Sequence, residues 1–266
     1  MSLRSFSISR QQAFECPRRG SYQYVERRQP DVVSVEQFVG SLVHDVAHKA
    51  VQDFEVFQRP GSLATYTDLF TTRLLETLPA NLVIPRRERS LDDYEALGHA
   101  CLRTLVDELL PRIAAAERLL GVEQSIRYVV DDGKDRPITV FGRVDRLGED
   151  RQTGAIVVHD WKTAGASLPW QEAVDTSRQI AVYLAWVRMR YPDRARSAME
   201  HYLAFGQSFT TTRTDEQLDG VTEFIRRETG KIEGLVEFPA RPNGLCRWCG
   251  FLPACPEGQA SCSHSR

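Results

Sequence analysis

The sequence predicts an α/β protein in which a small mixed β-sheet is flanked by helices, with a mainly helical N-terminal region packed onto it. Three observations point there. Apolar residues recur at helical spacing through much of the first 120 residues; the texture then changes to short β-branched runs broken by turn residues; beyond them helical and strand-like segments alternate up to a cysteine-bearing tail. At 266 residues, with 42% hydrophobic and 26% charged content, the chain can bury a sizeable core. It reads as a single domain, 1–266, with a helical region 1–120, a sheet-bearing core 121–212, and a helix followed by a cysteine-rich tail over 213–266.

Taken in order, residues 7–15 predict a short helix that ends near Pro17. Val35, Phe38, Val39, Leu42, Val43, Val46, Ala47, Ala50, Val51 and Phe54 then form one apolar stripe, so a long amphipathic helix is expected from Val35 to Phe57. Further helices are expected over 62–78 and 90–119. "SIRYVVDDGKDRPITVFGRVDRL" reads as two strands joined by the turn-rich Asp131-Asp132-Gly133, and "GAIVVHDWKT" as a third. A helix over 169–191 has Pro169 near its start and Pro192 just past its end. A strand over 196–206, a helix over 214–233 and an irregular tail complete the reading.

Net charge is only −2, so no global positive field points to a polyanion, and any nucleic-acid contact would use a confined basic channel. Thirty of the 34 basic residues are arginines, many in clusters such as Arg18 and Arg19, or Arg86, Arg87 and Arg89. Arginine suits phosphate recognition, although solvated helix faces and a GC-rich genome also produce it. The opening "MSLRSFSISR" has no apolar core of signal-peptide length, and no stretch is long enough to span a bilayer, so a cytoplasmic protein is expected. In a reducing compartment the six cysteines read as metal ligands or buried thiols rather than disulfides.

"VVHDWKTAG" places charges in what otherwise reads as a buried strand. Alternation sends Ile156, Val158, Asp160 and Lys162 to one face and Val157, His159 and Trp161 to the other. Buried charges must be paired or bound to a metal. A structural ion pair at the strand end would suffice, and so would a functional site. Asp145, in "FGRVDRL", supplies a second carboxylate, and two converging carboxylates repel unless a cation lies between them. Magnesium or manganese would suit such oxygen ligands, and Lys162 could then stabilise developing negative charge. His44 lies on the long helix one turn after Gly40, whose missing side chain allows close approach to another element. His48 at i+4 admits a His-x-x-x-His zinc pair, without the glutamate of the His-Glu-x-x-His signature. A lone helix histidine is more often structural.

The order Gly40-x-x-x-His44, Glu123, Gly142-Arg143-Val144-Asp145-Arg146, Asp160-Trp161-Lys162-Thr163 and Gln179-x-x-x-Tyr183 resembles RecB-type nucleases of the PD-(D/E)XK superfamily, over nearly the whole chain from Phe6 to Cys255. The resemblance implies a restriction-endonuclease-like core acting on DNA. It further implies a metal site of His44, Asp145 and Asp160 aided by the main-chain carbonyl of Trp161, with Lys162 as the catalytic lysine. Gln179 and Tyr183, one helical turn apart, would line the active site and help hold the strand; standing alone they would read as a polar helix edge with a core tyrosine. Glu123 matches the family's acidic position on the first strand, with no role that the sequence supplies.

"CRWCGFLPAC" contributes Cys246, Cys249 and Cys255, three thiolates that want a metal, with Cys262 or Cys16 available as a fourth. Cys16 lies in "FECPRRGSYQYVERR", which resembles the Cys-Pro-Arg-Arg segment of RecB-type nucleases carrying a [4Fe-4S] cluster, although Gly20 stands where an aromatic is common. That resemblance, to the CRISPR-associated exonuclease and AddB-like group, implies that Cys16 completes a structural cluster; zinc is the alternative occupant. Cys101 reads as a core thiol.

The resulting expectation is a magnesium- or manganese-dependent DNase, an exonuclease on single strands or DNA ends, with Tyr183, Tyr22 and Tyr24 and local arginines guiding the strand. The rivals are a non-catalytic DNA-binding or scaffolding subunit of a recombination or repair complex, and an iron-sulfur electron carrier. No Gly-x-x-x-x-Gly-Lys-[Ser/Thr] stretch is present, so a helicase or a recombination or CRISPR-adaptation partner would be a separate chain.

Overall fold

The computed structural model describes residues 4–57, 59, 61–133, 136–163 and 170–263. Its first part runs β1 (Ser5–Phe6), α1 (Ile8–Ala13), α2 (Pro17–Gly20), β2 (Val33–Ser34), α3 (Val35–Phe57), α4 (Leu63–Glu76), β3 (Leu82–Val83), α5 (Leu91–Arg103) and α6 (Leu110–Ala116). Then come β4 (Glu117–Val130), β5 (Ile138–Asp150), β6 (Ile156–Lys162), α7 (Gln171–Asp175), α8 (Arg178–Arg190), β7 (Arg196–Tyr202), β8 (Gln207–Thr211), α9 (Asp215–Glu233) and α10 (Pro256–Ser263). This is the mixed sheet flanked by helices that the sequence predicts.

The long strand β5 organises the sheet. One edge pairs antiparallel with β4 from Ile138 to Asp150. The other edge is divided: β1 pairs in parallel at Thr139 and Val140, and β6 pairs antiparallel from Arg146 to Glu149. Among the described residues no strand covers that edge between Phe141 and Asp145, so the sheet splits there. β6 continues in parallel to β7, which pairs antiparallel with β8. The parallel step requires a crossover, carried by α7 and α8.

Each face of the sheet has its own core. On one, Trp161 joins Val39, Val43, Phe70 and Leu102 of the N-terminal helices; on the other, Val140, Val144, Ile156 and Val158 pack with Ile180 and Leu184 of α8 and Ile225 of α9. Helix α3 has the expected bounds because its apolar stripe faces that first core without interruption. No described helix is long and apolar enough to cross a membrane.

Several expected boundaries move. The helix expected over 90–119 passes through a wide turn at Thr104–Leu109 and stops at Ala116; Glu117 already pairs with Asp150. Its carboxylate is drawn into the interior by Arg146 and His159, and this tertiary pairing overrides the helical look of the segment. The helix expected over 169–191 divides, because Ser177 caps α8 by accepting the Ile180 N–H; Pro169 lies outside the described residues. The strand expected over 196–206 ends at Tyr202, and Gly206, at φ 62, turns the chain into β8, which the sequence reading omits along with β1, β2 and β3.

Candidate active and metal site

At the split in the sheet both strands of the β4–β5 hairpin exchange faces. Ile126 packs on the α8 side and Val122 on the helical-region side, whereas strand alternation would put both on one face. Glu123 lies between them at φ 47, a left-handed conformation that costs a non-glycine residue about 1–2 kcal/mol. On β5, Val144 belongs to the α8-side core while Arg146 reaches Glu117 beneath the opposite face, so this strand turns over at Asp145. The two acids therefore emerge at one point.

There they meet α3. Gly40 permits the approach: a side-chain carbon on it would come within 3.1 Å of Thr163 Oγ1 at the end of β6. One turn later, His44 Nδ1 sits 3.3 Å from Asp145 Oδ1. His44, Glu123 and Asp145 each offer a ligand atom within 4.8 Å of one another. His48 is not in this group, so the first histidine is partnered by the two carboxylates rather than by a His-x-x-x-His pair. Burial opposes charging of His44, yet the Asp145 carboxylate prevails and its pKa is raised.

Asp160, 3% exposed, follows the last β5–β6 pair and so lies beside Asp145. The two strands are joined here through the Trp161 N–H, which donates to Asp145 Oδ2 at 2.6 Å. Lys162 Nζ approaches Asp160 Oδ2 at 2.5 Å and donates to Gln179 Oε1 at 2.9 Å. Gln179 Nε2 donates to Asp160 Oδ1 at 3.1 Å and to the Tyr183 hydroxyl at 2.7 Å. Gln179 occupies the first turn of α8, so the break before that helix aims it at the strand end. Burial, reinforced by Asp145, pushes the Asp160 carboxyl up to about 6 against the pull of Lys162. Burial likewise disfavours the Lys162 charge, but Asp160 outweighs it and holds the ammonium above its usual pKa.

His44, Asp145, Asp160, Trp161, Lys162, Gln179 and Tyr183 all line one groove of about 450 Å³, and Glu123 joins His44 and Asp145 in the tight triad. A divalent cation fits on two counts. Three carboxylates and an imidazole converge with few compensating cations, a donor set that suits a hard ion. Asp160 is also buried, and its second oxygen, Oδ2, has the Lys162 ammonium at 2.5 Å as its one close partner, so the three acids share few cations.

Under β6 lies a polar core that the sequence reading did not find. His159 and His201 are both 0% exposed. Burial lowers both pKa values, which favours neutral rings, and with neutral rings one proton arrangement satisfies the chain. His159 Nε2–H donates to Glu117 at 2.9 Å, its Nδ1 accepts from His201 Nε2 at 2.9 Å, and His201 Nδ1 accepts from the Ser208 hydroxyl at 2.7 Å. The available signal was His159 itself, a polar residue on the inward face opposite Asp160.

The aromatic expectations divide. Tyr183 is only 6% exposed, with its hydroxyl on Gln179, so it positions a neighbour rather than offering a face. Tyr22 packs on Phe251 and Tyr24 on Phe14, away from the groove. Tyr22 instead lines a second, small pocket with Cys16, Cys246, Cys249 and Cys255, and Cys262 is not among its walls. Backbone N–H groups of Arg241, Asn243 and Gly258 point at the sulfurs of Cys16, Cys246 and Cys255 at 3.3–3.4 Å. Such donors can pair with the lone pairs of sulfur. All six thiols are free, and Cys101 is a fully buried core residue.

Among known proteins, a family model described as the PD-(D/E)XK nuclease superfamily matches residues 5–256. A solved structure titled "Crystal structure of SSO0001" aligns with 74% of this chain and 97% of its own at 17% identity and a TM-score of 0.37. No curated protein matches the chain.

Proposed function

The chain belongs to the PD-(D/E)XK nuclease superfamily, and from that premise we propose that it is a magnesium- or manganese-dependent deoxyribonuclease of the RecB type, cutting single-stranded DNA or DNA ends as an exonuclease. The observation that carries the reading is the convergence, from five separate elements, of the His44, Glu123 and Asp145 triad on the Asp160, Lys162 and Gln179 cluster, with His44 and Asp145 lining the same groove as that cluster. His44, Glu123 and Asp145 would hold the ion, with Asp160 and the Trp161 carbonyl completing its oxygen ligands. Bound there, the ion supplies Lewis acidity toward the phosphodiester oxygens. Lys162 keeps a positive charge where the phosphoryl centre gains negative charge. Gln179 fixes Lys162 and Asp160 relative to each other, and Tyr183 fixes Gln179. Arg143, two residues from Asp145 and exposed, offers a phosphate contact at the groove mouth.

A structural [4Fe-4S] cluster held by Cys16, Cys246, Cys249 and Cys255 is part of the proposal, as is kinship with the CRISPR-associated and AddB-like nucleases. The shared pocket and the N–H donors support a thiolate site. Zinc is the alternative occupant, and no three of these thiols lie mutually within 4.8 Å among the described residues. A brown protein with iron-sulfur absorption is the expected result, and a colourless zinc-loaded one refutes the cluster.

The activity is tested with labelled single- and double-stranded DNA in Mg²⁺, Mn²⁺ or EDTA. Cleavage should require the metal and vanish in Lys162→Ala and Asp145→Asn proteins that melt normally. Undiminished cutting by either variant refutes the mechanism, and tight binding without metal-dependent cutting would identify a scaffolding subunit instead.

A further inference from the structure

Phe141 is a bulky apolar residue that the fold leaves 44% exposed on the wall of the metal groove. It stands where the edge of β5 loses its partner strand, just beyond the pairing with β1. Directly across the hairpin is Arg127, whose guanidinium lies 5.7 Å from the centre of the ring. Arg127 is not among the groove's lining residues, so it supports the ring from outside and leaves the groove side open. Arg143, on the same face two residues nearer the acids, is also exposed, with its guanidinium 3.3 Å from the Glu123 carboxylate. Exposed aromatics are unremarkable singly. This one combines an open face, a cation on each side and a shared groove with the candidate metal ligands.

We propose that Phe141 is a stacking platform for a base of a single-stranded DNA substrate, with Arg127 and Arg143 contacting the phosphates on either side of that base. The assignment rests on the nuclease reading of the groove. Asp145 lies four residue steps along the strand from Phe141, about 13 Å, which is roughly four nucleotides from the scissile phosphate at stacked spacing and fewer in an extended strand. Paired bases in a duplex cannot reach the ring, so the platform selects single strands or frayed ends. Its role is to position the strand, without contact with the reacting atoms.

The test compares wild type, Phe141→Ala, Phe141→Leu and Phe141→Trp, each checked for an unchanged melting temperature, on a 20-nucleotide single strand and on a dinucleotide too short to reach the ring. Phe141→Ala and Phe141→Leu should raise KM for the long strand roughly tenfold at unchanged kcat, with dinucleotide cleavage unaltered, and Phe141→Trp should restore KM. Leucine keeps an apolar strand residue without a ring, so it carries the test should alanine unsettle the hairpin. In Ca²⁺, 2-aminopurine placed along the strand should be quenched on binding at one position, and the quenching should disappear in Phe141→Leu. Unchanged KM, equal losses on both substrates, or quenching that survives the leucine variant would overturn the platform. Ring-dependent quenching with no metal-dependent cutting would leave the platform standing and remove the nuclease reading.

Discussion

Replacing Asp160 with asparagine should make the metal-free protein more stable while abolishing cleavage. The carboxyl is completely enclosed and its pKa stands at about 6 instead of an ordinary 3.8, a difference worth about 3 kcal/mol. An acid that holds its proton more tightly in the folded than in the unfolded chain penalises the fold wherever it is ionised. The penalty is full above pH 6, shrinks as the pH falls, and is lost only below the unfolded-state pKa of 3.8, where both states are protonated. The attraction of Lys162 is already contained in that balance, so removing the charge relieves up to about 3 kcal/mol at neutral pH. For a domain of this size that raises Tm by up to about 6 °C. Melting in EDTA at pH 7.5 and pH 4.5 should show the variant ahead at both, its lead shrinking from about 3 kcal/mol to about 1 kcal/mol at the lower pH. With saturating Mn²⁺ the order should reverse, because the wild type gains binding energy the variant lacks. A wild type that is the more stable protein in EDTA at pH 7.5, or an advantage that persists unchanged at pH 4.5, would refute the reasoning.

Glu123→Gly should raise stability in EDTA by about 1 kcal/mol, since glycine adopts φ 47 without strain, and should weaken metal affinity measured by calorimetry. Arg146→Ala leaves the Glu117 carboxylate buried without its cation and should cost about 3–5 kcal/mol in urea denaturation. Gly98→Ala should cost about 1–3 kcal/mol in thermal melting, because the added carbon would lie 2.2 Å from the Phe70 ring, itself fully buried.

The sequence was most legible where one periodicity governs a whole element. Helix α3 presents an unbroken stripe, and β5 and β6 carry β-branched runs bounded by turn residues, so their places were readable. Gly40 could be assigned close approach because a glycine one turn before a histidine has few other uses, and Thr163 is the element it admits. What stayed hidden depends on partners far along the chain. Glu117 ends a helical-looking segment as a strand because Arg146, 29 residues later, and His159, 42 residues later, pull it inward. Glu123 could be noticed but not given a role, since its place in the triad comes from a left-handed backbone that no local pattern announces for a glutamate. Phe141 looked like an ordinary strand residue; only the split edge exposes it.

The two charges in β6 now have a physical account that joins both faces of the strand. On one face, burial and the neighbouring Asp145 outweigh the Lys162 ion pair and leave Asp160 with a raised pKa, a cost a cation would resolve. On the other face, His159 is tied by a hydrogen-bonded chain to Glu117 on β4 and to His201 on β7. A one-residue slip of β6 would bury the charges among the helices and turn the imidazole outward, breaking both arrangements at once. The polar core thus fixes the register that keeps the charged face aimed into the groove, and the resulting electrostatic cost is tolerated because the surrounding sheet over-determines it. On this account, Glu117 and His159 act on cleavage only through the position of Asp160, which separates them from the residues that face the phosphate.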